Sequence, residues 1–267
     1  MFTTRLISGI ILVLLAIALV GSGGGILFVS VAAISMIGLF ELYRVLEIQK
    51  KGPGLLGYGA AVIYYGLLWF ECKDYVIMLA IAFLMTLMAL YVLTFPKYKT
   101  EEIASAFFGF FYVVVMLSYL YQVRVMTDGI YLVWLVFLSS WGCDTSAYCF
   151  GMLLGKHKLA PVLSPKKSVE GAVGGVGGAA LLGFIFAVFF GSYMREFSNP
   201  RLACTVACAI GAVISQIGDL AASAIKRNHG IKDYGKLIPG HGGILDRFDS
   251  MLFTAPAIYF ALVFLAG

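Results

Sequence analysis

Polar residues recur on one face of an otherwise apolar segment in the C-terminal part of the chain. They follow one another at steps of four, four and three residues: Ser215, Asp219, Ser223 and Lys226. This spacing places them on one face of a helix, with Asp219 about 10 Å deeper along the axis than Lys226. Because an ionisable residue at such a depth is costly, it normally faces a cavity or a charged partner. The stripe therefore predicts a functional face, and an Asp–Lys helix-packing pair is the alternative.

Two further aspartates lie at the start of the last apolar segment, behind a glycine-rich stretch. Asp246 and Asp249 are three residues apart, so they share a face of the first helical turns. Gly242 and Gly243 let backbone N–H groups approach a ligand closely, and His241 beside them could donate a hydrogen bond to a phosphate. Carboxylates suit hard cations such as Mg²⁺, so these acids and the aspartate of the stripe predict a metal–phosphate site. The alternative is that the two acids only stabilise the helix start.

Basic side chains, which suit phosphate oxygens, surround these acids in the sequence. The nearest ones are Lys226, Arg227, Lys232 and Arg247. An upstream segment repeats the chemistry, because Asp144 lies within an apolar run and Lys166 and Lys167 follow it. The two lysines precede a predicted helix whose N-terminus near Ser168 offers free N–H groups for an anion. Ordinary enrichment of lysine in cytoplasmic loops is the alternative for this pair.

The elements that must position these residues are membrane-spanning helices. Of the 267 residues, 61% are hydrophobic and only 12% are charged, whereas a soluble domain has about 45–50% and about 25%. A span needs about 20 mainly apolar residues. Nine apolar runs approach this length: 5–20, 25–43, 55–70, 75–95, 104–122, 129–150, 171–191, 201–222 and 250–266. We therefore predict an all-α, polytopic transmembrane bundle of about nine spans.

The distribution of basic residues predicts the orientation of the bundle. With a cytoplasmic N-terminus, fifteen of the nineteen Lys and Arg lie on the cytoplasmic side. The four on the other side are Lys73, Arg124, Arg195 and Arg201. The C-terminus is then outside, and two long loops, 151–170 and 223–249, are cytoplasmic. We divide the chain into an N-terminal region, 1–128, with about five spans, and a C-terminal catalytic region, 129–267.

The C-terminal charged segment combines a distinctive set of residue types at fixed spacings: Ser223, Lys226, Arg227, Lys232, Asp233, Pro239, His241, Gly242, Gly243, Asp246, Arg247 and Asp249. This pattern resembles that of the phosphatidate cytidylyltransferase family, also called CDP-diacylglycerol synthases. Upstream, the similar positions are Asp144, Tyr148, Gly155, Lys156, Ser164, Pro165, Lys167, Glu170, Gly171, Gly218, Asp219 and Leu220. The resemblance covers about half the chain, from residue 144 onward, and the first half is similar only in hydropathy.

The resemblance implies that CTP and phosphatidate react to give CDP-diacylglycerol and pyrophosphate, a step of phospholipid biosynthesis at the cytoplasmic face of a cell inner membrane. It also implies Mg²⁺ dependence and a homodimer, and we expect no nucleic-acid partner. We expect Asp219, Asp246 and Asp249 to hold one or two cations, with Lys226 and His241 also catalytic. The expected substrate-binding residues are Asp144, Lys166, Lys167, Ser223, Arg227, Lys232, Gly242, Gly243 and Arg247.

Other classes of protein are less consistent with the sequence. A secondary transporter also contains buried aspartates and broken, glycine-rich helices, but two inverted halves are missing, and a liposome flux assay would separate the two functions. The sequence has no GxSxG motif, which argues against a serine hydrolase. Its five cysteines are not in CxxC pairs, which argues against a zinc site. A cytidylyltransferase acting on a different lipid phosphate stays open.

Overall fold

The structure is a computed structural model that describes residues 2–240 and 242–266, with side chains from Ser8 onward. The described residues are almost entirely helical. The helices are α1 (Phe2–Ser22), α2 (Gly24–Val45), α3 (Gly52–Trp69), α4 (Val76–Leu93), α5 (Thr100–Gly109), α6 (Met116–Arg124), α7 (Gly129–Leu132), α8 (Trp134–Phe137), α9 (Cys143–Leu154), α10 (Val169–Phe190), α11 (Pro200–Asn228) and α12 (Leu245–Ala266). Two π-helical segments, Phe110–Val115 and Leu138–Gly142, connect α5 to α6 and α8 to α9.

Within the described residues, six helical stretches are long and apolar enough to cross a membrane. They are Gly24–Val45, Lys73–Leu93, Thr100–Arg124, Val169–Tyr193, Pro200–Asn228 and Leu245–Ala266. A shorter apolar helix, Ser8–Ser22, precedes them. Large apolar side chains such as Phe70, Ile77 and Leu93 are exposed, as expected where lipid is the solvent. The all-α, multi-pass membrane fold is confirmed, while the count of nine spans and the orientation of the termini stay predictions.

Local signals explain where the site-bearing helices begin. The Ser168 hydroxyl accepts a hydrogen bond from the Gly171 N–H at 3.1 Å and so caps α10. The Asn199 side chain caps α11 in the same way, and Pro200 occupies the first turn, where its missing N–H is not needed. The loop before α10 contains an antiparallel hairpin of β1 (Lys158–Ala160) and β2 (Ser164–Ser168), which the sequence analysis does not predict.

Helix α12 lies at the seam between the two halves of the chain. It packs against α11 from the C-terminal half and against α2 and α6 from the N-terminal half. Tyr43 of α2 anchors the N-terminal half, because its fully buried hydroxyl donates to the Ala106 carbonyl at 2.5 Å. The tyrosine ring lies against Gly57 and Gly109, where any larger residue would collide with it. The N-terminal half therefore forms a firm support for the start of α12.

Candidate active site

A buried lysine lies between two buried aspartates where α11 meets α12. The Lys226 amine is 3.0 Å from Asp246 Oδ1 and 3.6 Å from Asp249 Oδ2. The three residues are only 8%, 5% and 8% exposed, respectively. Their ion pairs therefore lie where screening by water is weak and where removal of one partner leaves an uncompensated charge. The spacing of Asp246 and Asp249 on one helical face is as predicted, and Lys226 reaches both.

Asp246 organises the loop between α11 and α12. Its Oδ2 accepts hydrogen bonds from the Tyr234 N–H at 2.7 Å and from the Gly243 N–H at 2.9 Å. Gly242 adopts a φ of +84°, and a Cβ there would lie 2.8 Å from the same carboxylate oxygen. Glycine is required here both for the left-handed backbone and for the close approach to the carboxylate. The two glycines thus allow the loop to fold closely around Asp246, and backbone N–H groups of the loop donate hydrogen bonds to this carboxylate.

Tyr234 fixes the same loop from its other side. Its hydroxyl donates to the Ala222 carbonyl at 3.1 Å, and its ring lies 5.3 Å from the Lys226 amine. Burial raises the pKa of Tyr234 above its ordinary value, so the phenol stays protonated and remains a donor. The loop is therefore anchored to α11 one turn before Lys226.

Asp219 pairs with a lysine of the hairpin loop, which the sequence spacing does not reveal. The distance from Lys167 Nζ to Asp219 Oδ2 is 2.5 Å. The predicted alternative, a packing pair of Asp219 with Lys226, is therefore not what the structure shows. Lys166 and Lys167 also line a cavity of about 280 Å³, together with Asp144 and Gln216. The two long loops are thus brought to one region through α11.

The acids of the separate helices are close enough to influence one another electrostatically. Asp249 interacts in this way with Asp219 and Arg247, and Asp144 interacts with Asp219. Within the described residues, however, no three His, Cys, Asp or Glu side chains form a group that could hold a metal ion. Lysines balance the carboxylates instead. The predicted metal role of Asp219, Asp246 and Asp249 stays a prediction.

A buried hydroxyl without a partner points to a polar ligand beside these acids. Tyr112, on the π-helical segment after α5, is 4% exposed and its hydroxyl has no hydrogen-bond partner in the described part of the chain. It lies within electrostatic reach of Asp249 and Asp219. Because a buried polar atom normally finds a partner, this hydroxyl is available to donate a hydrogen bond to a phosphate oxygen or to a water molecule.

The remaining predicted residues lie around this centre. Lys232 and Arg247 line an open, polar cavity of about 560 Å³ together with Gly242. Arg227 is exposed and donates to the Ile231 carbonyl at 2.9 Å, so it closes the end of α11. Ser223 is half-buried on α11. His241 falls outside the described residues, so its predicted role is not addressed by the structure.

Two residues of the N-terminal half hold the site and are missed by the sequence analysis. The carboxyl group of Glu41, which is 3% exposed, accepts hydrogen bonds from the Ile244 N–H at 3.1 Å and the Leu245 N–H at 2.8 Å. Arg44, one turn later on α2, donates to the Tyr234 carbonyl at 2.5 Å. An acid inside a predicted span is itself a signal of function, and Glu41 could have been found in this way.

These features define a helical membrane protein with a buried acid–lysine centre and with nearby cavities lined by basic side chains. The cytidylyltransferase family model matches residues 3–265, and the chain belongs to this family. The match includes the N-terminal half, in which the sequence analysis finds only a similarity of hydropathy.

Curated relatives align over almost their whole length. A protein of Staphylococcus saprophyticus named phosphatidate cytidylyltransferase is 32% identical over 97% of this chain and 98% of its own length. A protein of Staphylococcus epidermidis with the same name is 33% identical over the same shares. One of Staphylococcus aureus, again with this name, is 30% identical.

Proposed function

We propose that the chain is a phosphatidate cytidylyltransferase, which converts CTP and phosphatidate into CDP-diacylglycerol and pyrophosphate. Its family and the names of its relatives support this reaction. The structural observation that carries the proposal is the placement of Lys226 between Asp246 and Asp249, beside the open cavity lined by Lys232 and Arg247. Both substrates are anionic, and one is a lipid, so a basic cavity within a membrane protein suits both.

In the proposed reaction, a phosphate oxygen of phosphatidate forms a bond to the α-phosphorus of CTP. The bond from this phosphorus to the oxygen that bridges it to the β-phosphorus breaks, and pyrophosphate leaves with that electron pair. A phosphate monoester is already an anionic nucleophile at neutral pH, so no general base is required. Catalysis of such transfers rests mainly on positioning and charge neutralisation, which are the tasks of the residues described above.

The basic residues divide between the two substrates in this proposal. Lys232 and Arg247 line the open cavity and bind phosphate oxygens. Lys166 and Lys167 bind a second anionic group in the adjacent cavity. The buried amine of Lys226 offsets the negative charges of Asp246 and Asp249, and the Tyr112 hydroxyl donates to the bound ligand.

We extend the proposal to a divalent cation, which the family resemblance implies. Asp219, Asp246 and Asp249 offer hard oxygen donors, and we propose that they hold Mg²⁺ and, in a two-cation site, a second ion. When bound, Mg²⁺ would supply neutralisation of the phosphate charge.

The membrane topology and assembly belong to the same proposal. We place about nine spans in a cell inner membrane, with the N-terminus and the active site on the cytoplasmic side. In this orientation fifteen of the nineteen basic residues would lie in cytoplasmic segments, which is the distribution that the positive-inside rule favours. A homodimer is proposed from the family resemblance.

The proposal is tested by incubating the purified protein with CTP, MgCl₂ and phosphatidate in mixed micelles. CDP-lipid and pyrophosphate should form in equal amounts, and both should require phosphatidate and Mg²⁺. Asp219→Asn and Asp246→Asn should abolish both products, whereas Asp74→Asn, at an exposed site, should not. Pyrophosphate release without a CDP-lipid, or undiminished synthesis after chelation of divalent ions, would contradict the proposed reaction or its metal dependence, respectively.

A further inference from the structure

An apolar groove lies between α1, α2 and the start of α12. It encloses about 300 Å³, and its lining includes Leu12 and Ala16 of α1, Val31 and Ile34 of α2, and Phe248 of α12. Arg247 is the one charged side chain among the described residues that line it. A groove with an apolar length and a single cationic end matches the shape and polarity of a phospholipid with an anionic headgroup.

The groove starts at the level of the candidate active site. Ser8, at the beginning of the described side chains of α1, donates to the Pro239 carbonyl of the site loop at 3.3 Å. Gly9 and Val20 both line the groove, and their separation of eleven residues corresponds to about 16 Å of helix. This length is about half of the roughly 30 Å hydrocarbon core of a bilayer. The groove therefore has the depth of one leaflet.

Arg247 also lines the open polar cavity that contains Lys232 and Lys236. The same side chain thus borders the apolar groove on one side and the basic cavity on the other. A guanidinium group binds phosphate oxygens in a bidentate manner. Arg247 is therefore placed to hold a phosphate whose attached chain enters the groove.

We infer that one acyl chain of phosphatidate occupies this groove while its phosphate lies at Arg247. The inference rests on the proposed function and adds to it the path of the lipid substrate. Because the surrounding lipid tails are as apolar as the groove, moving an acyl chain from the bilayer into the groove contributes little binding free energy. Its effect is to orient the phosphate for attack, because a fixed geometry replaces free diffusion in the leaflet.

A pair of substitutions on α1 separates the groove from the rest of the helix surface. Ala16 lines the groove, whereas Ala18 is exposed and does not. Ala16→Phe should raise KM for dioleoyl phosphatidate about tenfold, which corresponds to about 1.4 kcal/mol of lost binding, because the phenyl ring takes up space that the acyl chain needs. KM for CTP should be unchanged. With dihexanoyl phosphatidate, whose short chains do not need the full groove, the effect should shrink. Ala18→Phe should behave as the wild type with both lipids.

Photolabelling of the wild-type protein supplies a test that does not depend on a variant. Phosphatidate with a diazirine in one acyl chain should label peptides containing residues 9–20 or 27–34, and unlabelled phosphatidate should compete whereas phosphatidylcholine should not. Equal competition by both lipids would identify the groove as a general lipid contact and overturn the inference, as would identical kinetics of the two α1 variants. If the wild type made no CDP-lipid from either phosphatidate, the proposed function itself would fail.

Discussion

The hydrogen bonds between Glu41 and the start of α12 predict that activity depends on a residue of the N-terminal half. Glu41 accepts from two backbone N–H groups, those of Ile244 and Leu245. In Glu41→Gln, one side-chain oxygen is replaced by an NH₂ group, which donates and cannot accept. One of the two hydrogen bonds is then lost, and a donor faces another donor.

The size of the effect follows from these contacts. A buried N–H left without an acceptor costs about 1–3 kcal/mol, and the loss acts on the turn that immediately precedes Asp246. If this energy destabilises the catalytically productive position of Asp246, the fraction of enzyme in that state decreases. The kcat then falls about 5- to 150-fold, since about 1.4 kcal/mol corresponds to a factor of ten. Glu41→Ala removes both acceptor oxygens, so its kcat should be lower than that of Glu41→Gln. Gly235 and Gly243 pack directly on the Glu41 carboxyl group, which leaves little room for a water molecule to replace it.

The assay measures initial rates of CDP-lipid formation over ranges of CTP and phosphatidate, together with the melting temperature in the same micelles. We expect kcat to fall while both KM values change less than threefold, because Glu41 lies beneath the loop rather than in the open cavity. Glu101→Gln, an exposed glutamate in the first turn of α5, serves as the control for loss of a carboxylate. A lowered melting temperature with an unchanged kcat would show that Glu41 stabilises the fold without positioning Asp246, and it would refute this reasoning.

Three further substitutions test the centre itself. Lys226→Met should lower the melting temperature and abolish product, because an uncompensated buried acid pair costs about 3–5 kcal/mol; the exposed Lys50→Met should do neither. Tyr112→Phe should leave the melting temperature unchanged but reduce kcat/KM about 10- to 150-fold, since a hydrogen bond to a charged ligand contributes about 1.5–3 kcal/mol. Tyr58→Phe, which also removes a buried hydroxyl without a described partner, should leave kinetics unchanged, and equal kinetics of the two variants would contradict a ligand contact. Gly242→Ala should reduce kcat strongly, since a side chain there requires a strained φ and meets Asp246; wild-type turnover would show that the loop does not need its observed conformation.

The helices and the acids of the site could be predicted from the sequence because both depend on local spacing. A run of apolar residues fixes a helix, and the separation of Asp246 from Asp249 fixes a common face. The Lys226–Asp246 ion pair depends instead on the path of the loop between α11 and α12. That path depends on the φ angles of the loop glycines and on hydrogen bonds with Glu41 and Arg44 of α2. The spacing of residues within the loop does not predict either of them.

The partner of Asp219 could not be predicted for a similar reason. Lys167 reaches it from β2, and the hairpin that carries this lysine has no clear alternation of polar and apolar residues. In the N-terminal half, the long apolar runs predict membrane-spanning helices but do not indicate which residues contact the site. Glu41 could have been noticed as an acid inside a predicted span, but its two backbone partners are seen only in the folded chain. Tyr112 becomes informative only when its hydroxyl is seen to be buried without a described partner.

The two oxygens of Asp246 have different tasks, and this division decides which substitutions report on chemistry. Oδ2 accepts from the N–H groups of Tyr234 and Gly243 and so holds the loop, whereas Oδ1 contacts only the Lys226 amine among the described residues. A cation that approaches this carboxylate must therefore compete with Lys226 at Oδ1. Replacing Asp246 disturbs the loop as well as the ligand contact, so its loss of activity has two causes. Asp219 accepts from a lysine side chain and no described backbone N–H, and Asp219→Asn consequently gives the cleaner measure of what a carboxylate at this centre contributes to the reaction.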